Sequence, residues 1–332
     1  MTFKITTKEI FNAVAHIQSD AFYDLNRVQK TPLIYSHKLS LLGKANVFLK
    51  CENLQTTGSF KLRGATNAVL NLDPNEKKRG IVTASSGNHG AALAYAAKAL
   101  GVPSTIFVPE EINSVKENKI ASLGAKLVKV DGLSDLAEQE ALSYAQNKGL
   151  KYISPYNNYD VIVGQASMGL EITESLPKID AAFISVGGGG LVSGVGSVLK
   201  HNSTSKVIGC WPAVACSMLK CMQAGKVIEV EEQTTLSDGT AGAVEPGSIT
   251  LPLCQEVINS TETVSESEIA LAMQYIYDEF GMVIEGSAGV AVAAFIKSKK
   301  LYENKNLVII LCGKNIPDEK FRNVLQQHPS NI

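Results

Sequence analysis

At 332 residues, with 45% apolar and 19% charged side chains, the chain has the balance of a globular protein with room for a large core, in one big domain or in two that share a cleft. That balance excludes a disordered chain. A formal net charge of -1 and the lack of any long Lys/Arg run leave a nucleic-acid or anionic-membrane partner without electrostatic support.

The first nine residues lack the apolar core of a signal peptide, so a cytoplasmic protein is expected. Runs rich in β-branched residues and bounded by Gly, Pro, Asn or Asp then predict strands at 47–50, 80–84, 105–108, 126–130, 152–154, 182–186, 206–210 and 307–311. The segments between them read as helices. The clearest starts at Ser265, whose hydroxyl can cap it while Glu268 completes a capping box; Ile269, Met273, Ile276 and Phe280 share one face and Gly281 ends it. This alternation predicts an α/β protein with parallel sheets. No repeat or low-complexity linker marks a domain boundary. The uncharged stretch 181–199 is nearly long enough to span a bilayer, but it holds six glycines, each costing a helix ~1 kcal/mol against alanine. It reads instead as a strand, a glycine loop and a new helix. Cysteines 51, 210, 216, 221 and 254 include no CxxC pair and fit a reduced interior better than disulfides or a metal site.

Three motifs carry chemistry. In Thr56-Thr-Gly-Ser-Phe-Lys-Leu-Arg-Gly64, Lys61 falls where a helix should begin, with Leu62, Ala65 and Val69 spaced for a buried face. Flanked by Phe60 and Leu62, its amine can be partly desolvated, which lowers its pKa and makes it nucleophilic toward an aldehyde; taken singly, a helical lysine is more often a solvated surface residue. In Thr83-Ala-Ser-Ser-Gly-Asn-His-Gly90, another strand-to-helix junction, Ser85, Ser86, Gly87, Asn88 and His89 crowd hydroxyls, an amide and free N–H donors that can hold a carboxylate or a ring oxygen. An over-rich helix cap is the plainer alternative, and His89 can simply pack. In Ser185-Val-Gly-Gly-Gly-Gly-Leu191, Gly187, Gly188, Gly189 and Gly190 let backbone N–H groups approach an anion at a helix N-terminus. This is neither GxGxxG nor GxxxxGK[ST], which leaves a phosphate cradle or a flexible turn.

In that order and spacing, Ser-Phe-Lys-Leu-Arg-Gly-Ala, Ser-Ser-Gly-Asn-His-Gly and Val-Gly-Gly-Gly-Gly-Leu resemble the threonine/serine dehydratase and serine racemase family of fold type II pyridoxal-phosphate enzymes, over about 31–316 of the chain. The resemblance implies two domains, each with a mainly parallel sheet flanked by helices, and pyridoxal 5'-phosphate in the cleft between them. A large cofactor-binding domain would take 1–80 and 156–332, and a small domain, 81–155, would contribute the substrate-binding loop. Lys61 would carry the cofactor covalently and act as base at the substrate α-carbon. Phe60 would pack beside the ring, Asn88 would hydrogen-bond its 3′-oxygen, and Gly187 to Gly190 with Leu191 would bind the phosphate. Gly239 would line the cofactor, Cys312 would face the pyridine nitrogen, and the loop from Ser85 to His89 would grip the substrate carboxylate. A thiol at that nitrogen would leave it largely unprotonated, which suits β-elimination.

The expected reaction is that of a threonine/serine ammonia-lyase, giving 2-oxobutanoate or pyruvate plus ammonia. Dehydration of another hydroxy amino acid such as hydroxyaspartate is one alternative. Amino-acid racemisation is another and rests on Ser86, since it needs a second acid/base opposite Lys61. Gly58-Ser-Phe-Lys-Leu-Arg departs from the β-replacing synthase pattern, and a cofactor-binding protein without catalysis is the remaining class. Relatives imply a homo-oligomer, dimer or tetramer, and the chain's end about twenty residues after Cys312 implies a short, catabolic-type enzyme. Many relatives with a divalent-metal site carry acidic residues where this chain reads Trp211-Pro-Ala-Val-Ala-Cys-Ser217, so no metal is carried over. Lys314, where a small residue is usual, either points to solvent or reads a charge on a ligand.

Overall fold

The computed structural model describes residues 5–17, 20–24, 27–112, 114–132, 134–202 and 204–327. The first four residues, part of the segment read for a signal peptide, lie outside them. Among the described residues ten strands form two sheets. They are β1 (Leu33–Tyr35), β2 (Asn46–Lys50), β3 (Ile81–Ala84), β4 (Ser104–Pro109), β5 (Lys126–Val130), β6 (Lys151–Tyr152), β7 (Ala181–Ser185), β8 (Lys206–Pro212), β9 (Ser260–Val264) and β10 (Asn306–Ile310). One sheet runs β1-β2-β10-β7-β8-β9 and the other β5-β4-β3-β6. Every pairing is parallel except β1 with β2. β2 and β10, neighbours in space but far apart in sequence, pair Val47 with Leu307 and Lys50 with Ile310. The four-stranded sheet lies wholly between them in the chain.

All eight expected strands are present, though 152–154 shrinks to Lys151–Tyr152. Every residue of β7 is buried, as in a parallel strand covered on both faces. Across its sheet packs the helix Gly286–Ser298, with Phe295 edge-on to Phe183. Stretch 181–199 resolves into β7, a glycine loop and the helix Gly190–Asn202. Helix Glu266–Phe280 starts with the Ser265/Glu268 capping box, buries Ile269, Met273 and Ile276, and stops at Gly281 in the left-handed region. All six cysteines are buried thiols outside any disulfide. Among the described residues no helix is long and apolar enough to cross a membrane.

Candidate active site

Lys61 is the first residue of the helix Lys61–Leu70, and Leu62, Ala65 and Val69 behind it are fully buried. The turn that delivers it is tied to the carboxyl end of β10. Phe60 N–H donates to the Cys312 carbonyl at 3.0 Å, Lys314 N–H donates to the Gly58 carbonyl at 2.9 Å, and Ser59 bridges Gly313. Gly58 is required there: its φ is +80°, and a Cβ would come 2.7 Å from Asn315 Oδ1. The Lys61 ammonium donates to the Pro155 carbonyl at 2.9 Å and lies 5.2 Å from the centre of the Phe60 ring. Desolvation pushes its pKa down to about 8, against the opposing pull of Cys312, Glu285 and Glu245. Two residues on, Arg63 is fully buried, its guanidinium bonded to Glu52 at 2.8 Å and Glu171 at 2.6 Å. Lys50 also reaches Glu171, so two cations balance two carboxylates beneath the lysine helix.

β3 leads through Ser85, Ser86 and Gly87 into the helix Asn88–Ala99. No side chain caps this helix, and Ser85 Oγ instead accepts from Gly87 N–H at 3.2 Å. The hydroxyl-rich loop is therefore not an N-cap. Its first turn, without a side-chain cap, has the dipole and N–H groups that suit a carboxylate. Asn88 takes a defined place: Nδ2 donates to both Glu285 oxygens at 3.0 Å, and Oδ1 accepts from Asn315 Nδ2 at 2.6 Å. His89 is turned away, only 2% exposed, with Nε2 donating to the Ile153 carbonyl at 3.1 Å. Burial pushes its pKa down to about 3, so the ring is neutral. Its side chain ties this loop to the strand end that carries Pro155, and only its backbone can serve a substrate.

β7 ends in the four glycines, which open the helix Gly190–Asn202. Other atoms already fill the space of each missing Cβ. At Gly187 it would come 2.9 Å from Thr240 Cα, at Gly188 2.3 Å from the Tyr156 ring, at Gly189 2.6 Å from Cys254 Sγ, and at Gly190 3.0 Å from Tyr156 Cβ. Gly189 also has φ +87°, and the Gly188 carbonyl is held by Thr250 Oγ1 at 2.6 Å. Leu191 is buried just inside the helix. This is a cradle with a closed back. Gly239 sits where a Cβ would come 2.8 Å from Ser287 Oγ and 3.6 Å from Glu285 Oε1.

Cys312 follows β10, beside β7. The Ser185 hydroxyl donates to its sulfur at 4.0 Å, and its own thiol donates to Glu285 at 3.9 Å. Burial, then the Glu285 charge, raises its pKa well above the ordinary thiol value, so it stays protonated. Lys314 is exposed and points to solvent. Glu285 was invisible to motif reading. It stands alone between Ile284 and Gly286, just before the helix Gly286–Ser298, and its only signal is an acid at the head of a small-residue helix. It is buried, with its carboxyl pushed up to about 7 by desolvation despite the N–H donors of Asn88 and Asn315. Glu245 was missed as well; it accepts from Ser154 Oγ at 2.6 Å and Asn157 Nδ2 at 2.7 Å, next to the Pro155 that receives Lys61.

An amine of lowered pKa, an uncapped helix start, a glycine cradle and a buried thiol thus converge at the carboxyl ends of parallel strands, where open α/β sheets bind ligands. The family model of pyridoxal-phosphate dependent enzymes matches residues 25–313. An L-threonine ammonia-lyase from Thermotoga maritima is 39% identical over 88% of this chain and 72% of its own length. A serine racemase from Dictyostelium discoideum is 35% identical over 94% of this chain and 95% of its own. The processed form of threonine deaminase isoform 2 from Solanum lycopersicum superposes with a TM-score of 0.92 at 33% identity, over 98% of this chain and 95% of that one. The chain belongs to the pyridoxal-phosphate dependent enzyme family.

Proposed function

We propose that the chain is a threonine/serine ammonia-lyase that converts L-threonine to 2-oxobutanoate and L-serine to pyruvate, releasing ammonia. The observation that carries this reading is the buried Lys61 amine, its pKa lowered to about 8 and its nitrogen held on the Pro155 carbonyl. The residues fit pyridoxal phosphate on structural grounds. Four glycines let the loop pack back to back against Thr240, Tyr156 and Cys254 where any Cβ would clash, so its backbone can run bare into the helix N-terminus that favours an anion. When bound, the cofactor withdraws electrons from the substrate α-carbon, the part of the chemistry that side chains cannot supply.

The chain's own groups do the rest. Gly187 to Gly190 and Leu191 grip the phosphate, and Phe60 packs beside the ring. Asn88 offers a hydrogen bond to the ring oxygen, while Gly239 and Cys312 bound the far edge. A neutral Cys312 thiol can neither give nor hold a charge at the ring nitrogen, which fits elimination. Ser85, Ser86 and the backbone of Gly87 and Asn88 hold the substrate carboxylate. Lys61, with its lowered pKa, takes the proton from the α-carbon.

Racemisation is a second activity that one observation favours: Ser86 has no part in capping the helix, so its hydroxyl is not committed there and can serve as the second acid/base. We assign 1–80 and 156–332 to a large cofactor-binding unit and 81–155 to a small one; in support, β3 to β6 all fall within the latter. Assembly as a dimer or tetramer and a cytoplasmic location belong to the same reading. Borohydride reduction of the yellow holoenzyme, followed by peptide mapping, tests it. The label is expected on Lys61, together with keto acid and ammonia from threonine and serine. A label on any other lysine, or no keto acid from either substrate, overturns it.

A further inference from the structure

We infer that Glu285 is a positioning residue that fixes which way round the Asn88 amide stands, so that Asn88 can only donate a hydrogen bond to the cofactor's ring oxygen. This rests on the reading of Asn88 as the partner of that oxygen and deepens it. An asparagine amide is nearly symmetric in shape but not in chemistry, since one end donates and the other accepts. Here the direction is set by a polar chain anchored at a carbonyl, which can only accept, and at the Glu285 carboxylate, which accepts through both oxygens when ionised. At one end the Thr57 carbonyl receives Asn315 Nδ2 at 3.0 Å, and the same nitrogen donates to Asn88 Oδ1 at 2.6 Å. At the other end Asn88 Nδ2 meets both oxygens of Glu285 at 3.0 Å. Glu285 is itself oriented by the Asn315 backbone N–H, which donates to Oε2 at 3.1 Å. A flipped Asn88 would set oxygen against carboxylate and NH₂ against NH₂. In the observed orientation Nδ2 stands equidistant from both Glu285 oxygens, so one N–H can be shared between them and the second is left to face outward.

The surroundings hold the carboxyl in place. A Cβ at Gly313 would come 2.8 Å from the Glu285 carboxyl carbon, and one at Gly239 would come 3.6 Å from Oε1. An N–H donor favours the deprotonated ring oxygen, which absorbs in the visible. An acceptor in its place favours the protonated form, which absorbs in the near ultraviolet.

In Glu285→Gln the single amide oxygen must stay with the immobile Asn315 N–H. That leaves the new NH₂ facing Asn88 Nδ2 in place of one of its two acceptors, donor against donor, and loosens the hold that keeps Asn88 from turning. In the holoenzyme, the ratio of visible to near-ultraviolet absorbance at neutral pH should fall roughly tenfold, equivalent to a shift of about one unit in the ring oxygen's pKa. Gly313→Ala reaches the same end with Glu285 intact, because its methyl pushes the carboxyl off Asn88. Either variant, whichever yields folded holoenzyme, is expected to show the fall. Glu285→Asp, which keeps a carboxyl group, should retain more of the visible band than Glu285→Gln. If the variants melt earlier but keep the wild-type absorbance ratio, Glu285 is only structural and the inference is overturned. A wild type with no borohydride-sensitive visible band on Lys61 would instead overturn the functional reading beneath it.

Discussion

Ser86 and Asn88 stand two residues apart in one loop, yet the structure treats them differently. Asn88 is locked by three hydrogen bonds, whereas the one side-chain bond to the 85–87 backbone is made by Ser85. Racemisation needs a proton donor on the face opposite Lys61, and Ser86 is the donor proposed above. Ser86→Ala should therefore leave most elimination intact while any formation of D-serine from L-serine falls by ~10²–10⁴-fold, the contribution of a positioned acid or base. The ratio of D-serine to keto acid, measured on one sample, checks this independently of how much protein is folded. A constant ratio removes Ser86 from the chemistry, and no D-serine from the wild type removes the racemase reading. At this scale the sequence is legible where chemistry concentrates in a motif, as at Lys61, the 85–90 loop and the glycines. Glu285 and Glu245 were not legible, because each is a single acid brought to the site by tertiary packing. His89 takes the packing role that the sequence left open, its side chain serving the loop's attachment to Ile153.

Among the elements, the strands rich in Val, Ile and Leu could be read because parallel strands buried on both faces are nearly all apolar. Two could not. β9, Ser-Thr-Glu-Thr-Val at the sheet edge, is mostly polar on its open sides, and β1 is only three residues long. The glycine loop joins sequence to function most directly. Gly189 needs both a positive φ and the space now filled by Cys254, whereas Gly101, also at positive φ, has nothing within 4 Å of its missing Cβ. Gly189→Ala should weaken pyridoxal-phosphate retention at least ~10-fold, since about 1–2 kcal/mol of left-handed strain adds to a steric clash inside the cradle. Gly101→Ala carries the same backbone strain outside the site and should lower stability alone. Dialysis followed by measurement of the remaining visible absorbance separates them. Equal retention by both would mean that the 187–190 loop is a turn and not the phosphate site.

In the whole molecule the two sides of the cleft are held by different electrostatics. Beneath Lys61, Arg63 and Lys50 face Glu52 and Glu171 in a balanced, fully bonded cluster that makes the floor rigid; removing one partner from such a buried set typically costs ~3–5 kcal/mol. Across the cleft the charges are alike. Glu138, on the helix Ser134–Lys148 beside the small sheet, receives the Tyr152 hydroxyl at 3.4 Å and meets Glu245, which is bonded to Ser154 and Asn157. Desolvation, then the Glu245 charge, pushes the Glu138 carboxyl up to about 7, with Asp135 adding to the rise. Because its folded pKa lies above the ordinary carboxylate value, the stability from this contact is complete below about 4.5 and is lost as pH rises through about 7. Glu138→Gln keeps an acceptor for Tyr152 and removes the titration. The variant and wild-type holoenzymes should melt together at pH 5, and the variant should melt higher at pH 8, with the difference growing around pH 7. Glu285 and His89 titrate alike in both proteins and cancel from the comparison. A melting difference independent of pH would show that Glu138 acts through packing alone, and that no titrating contact joins it to Glu245.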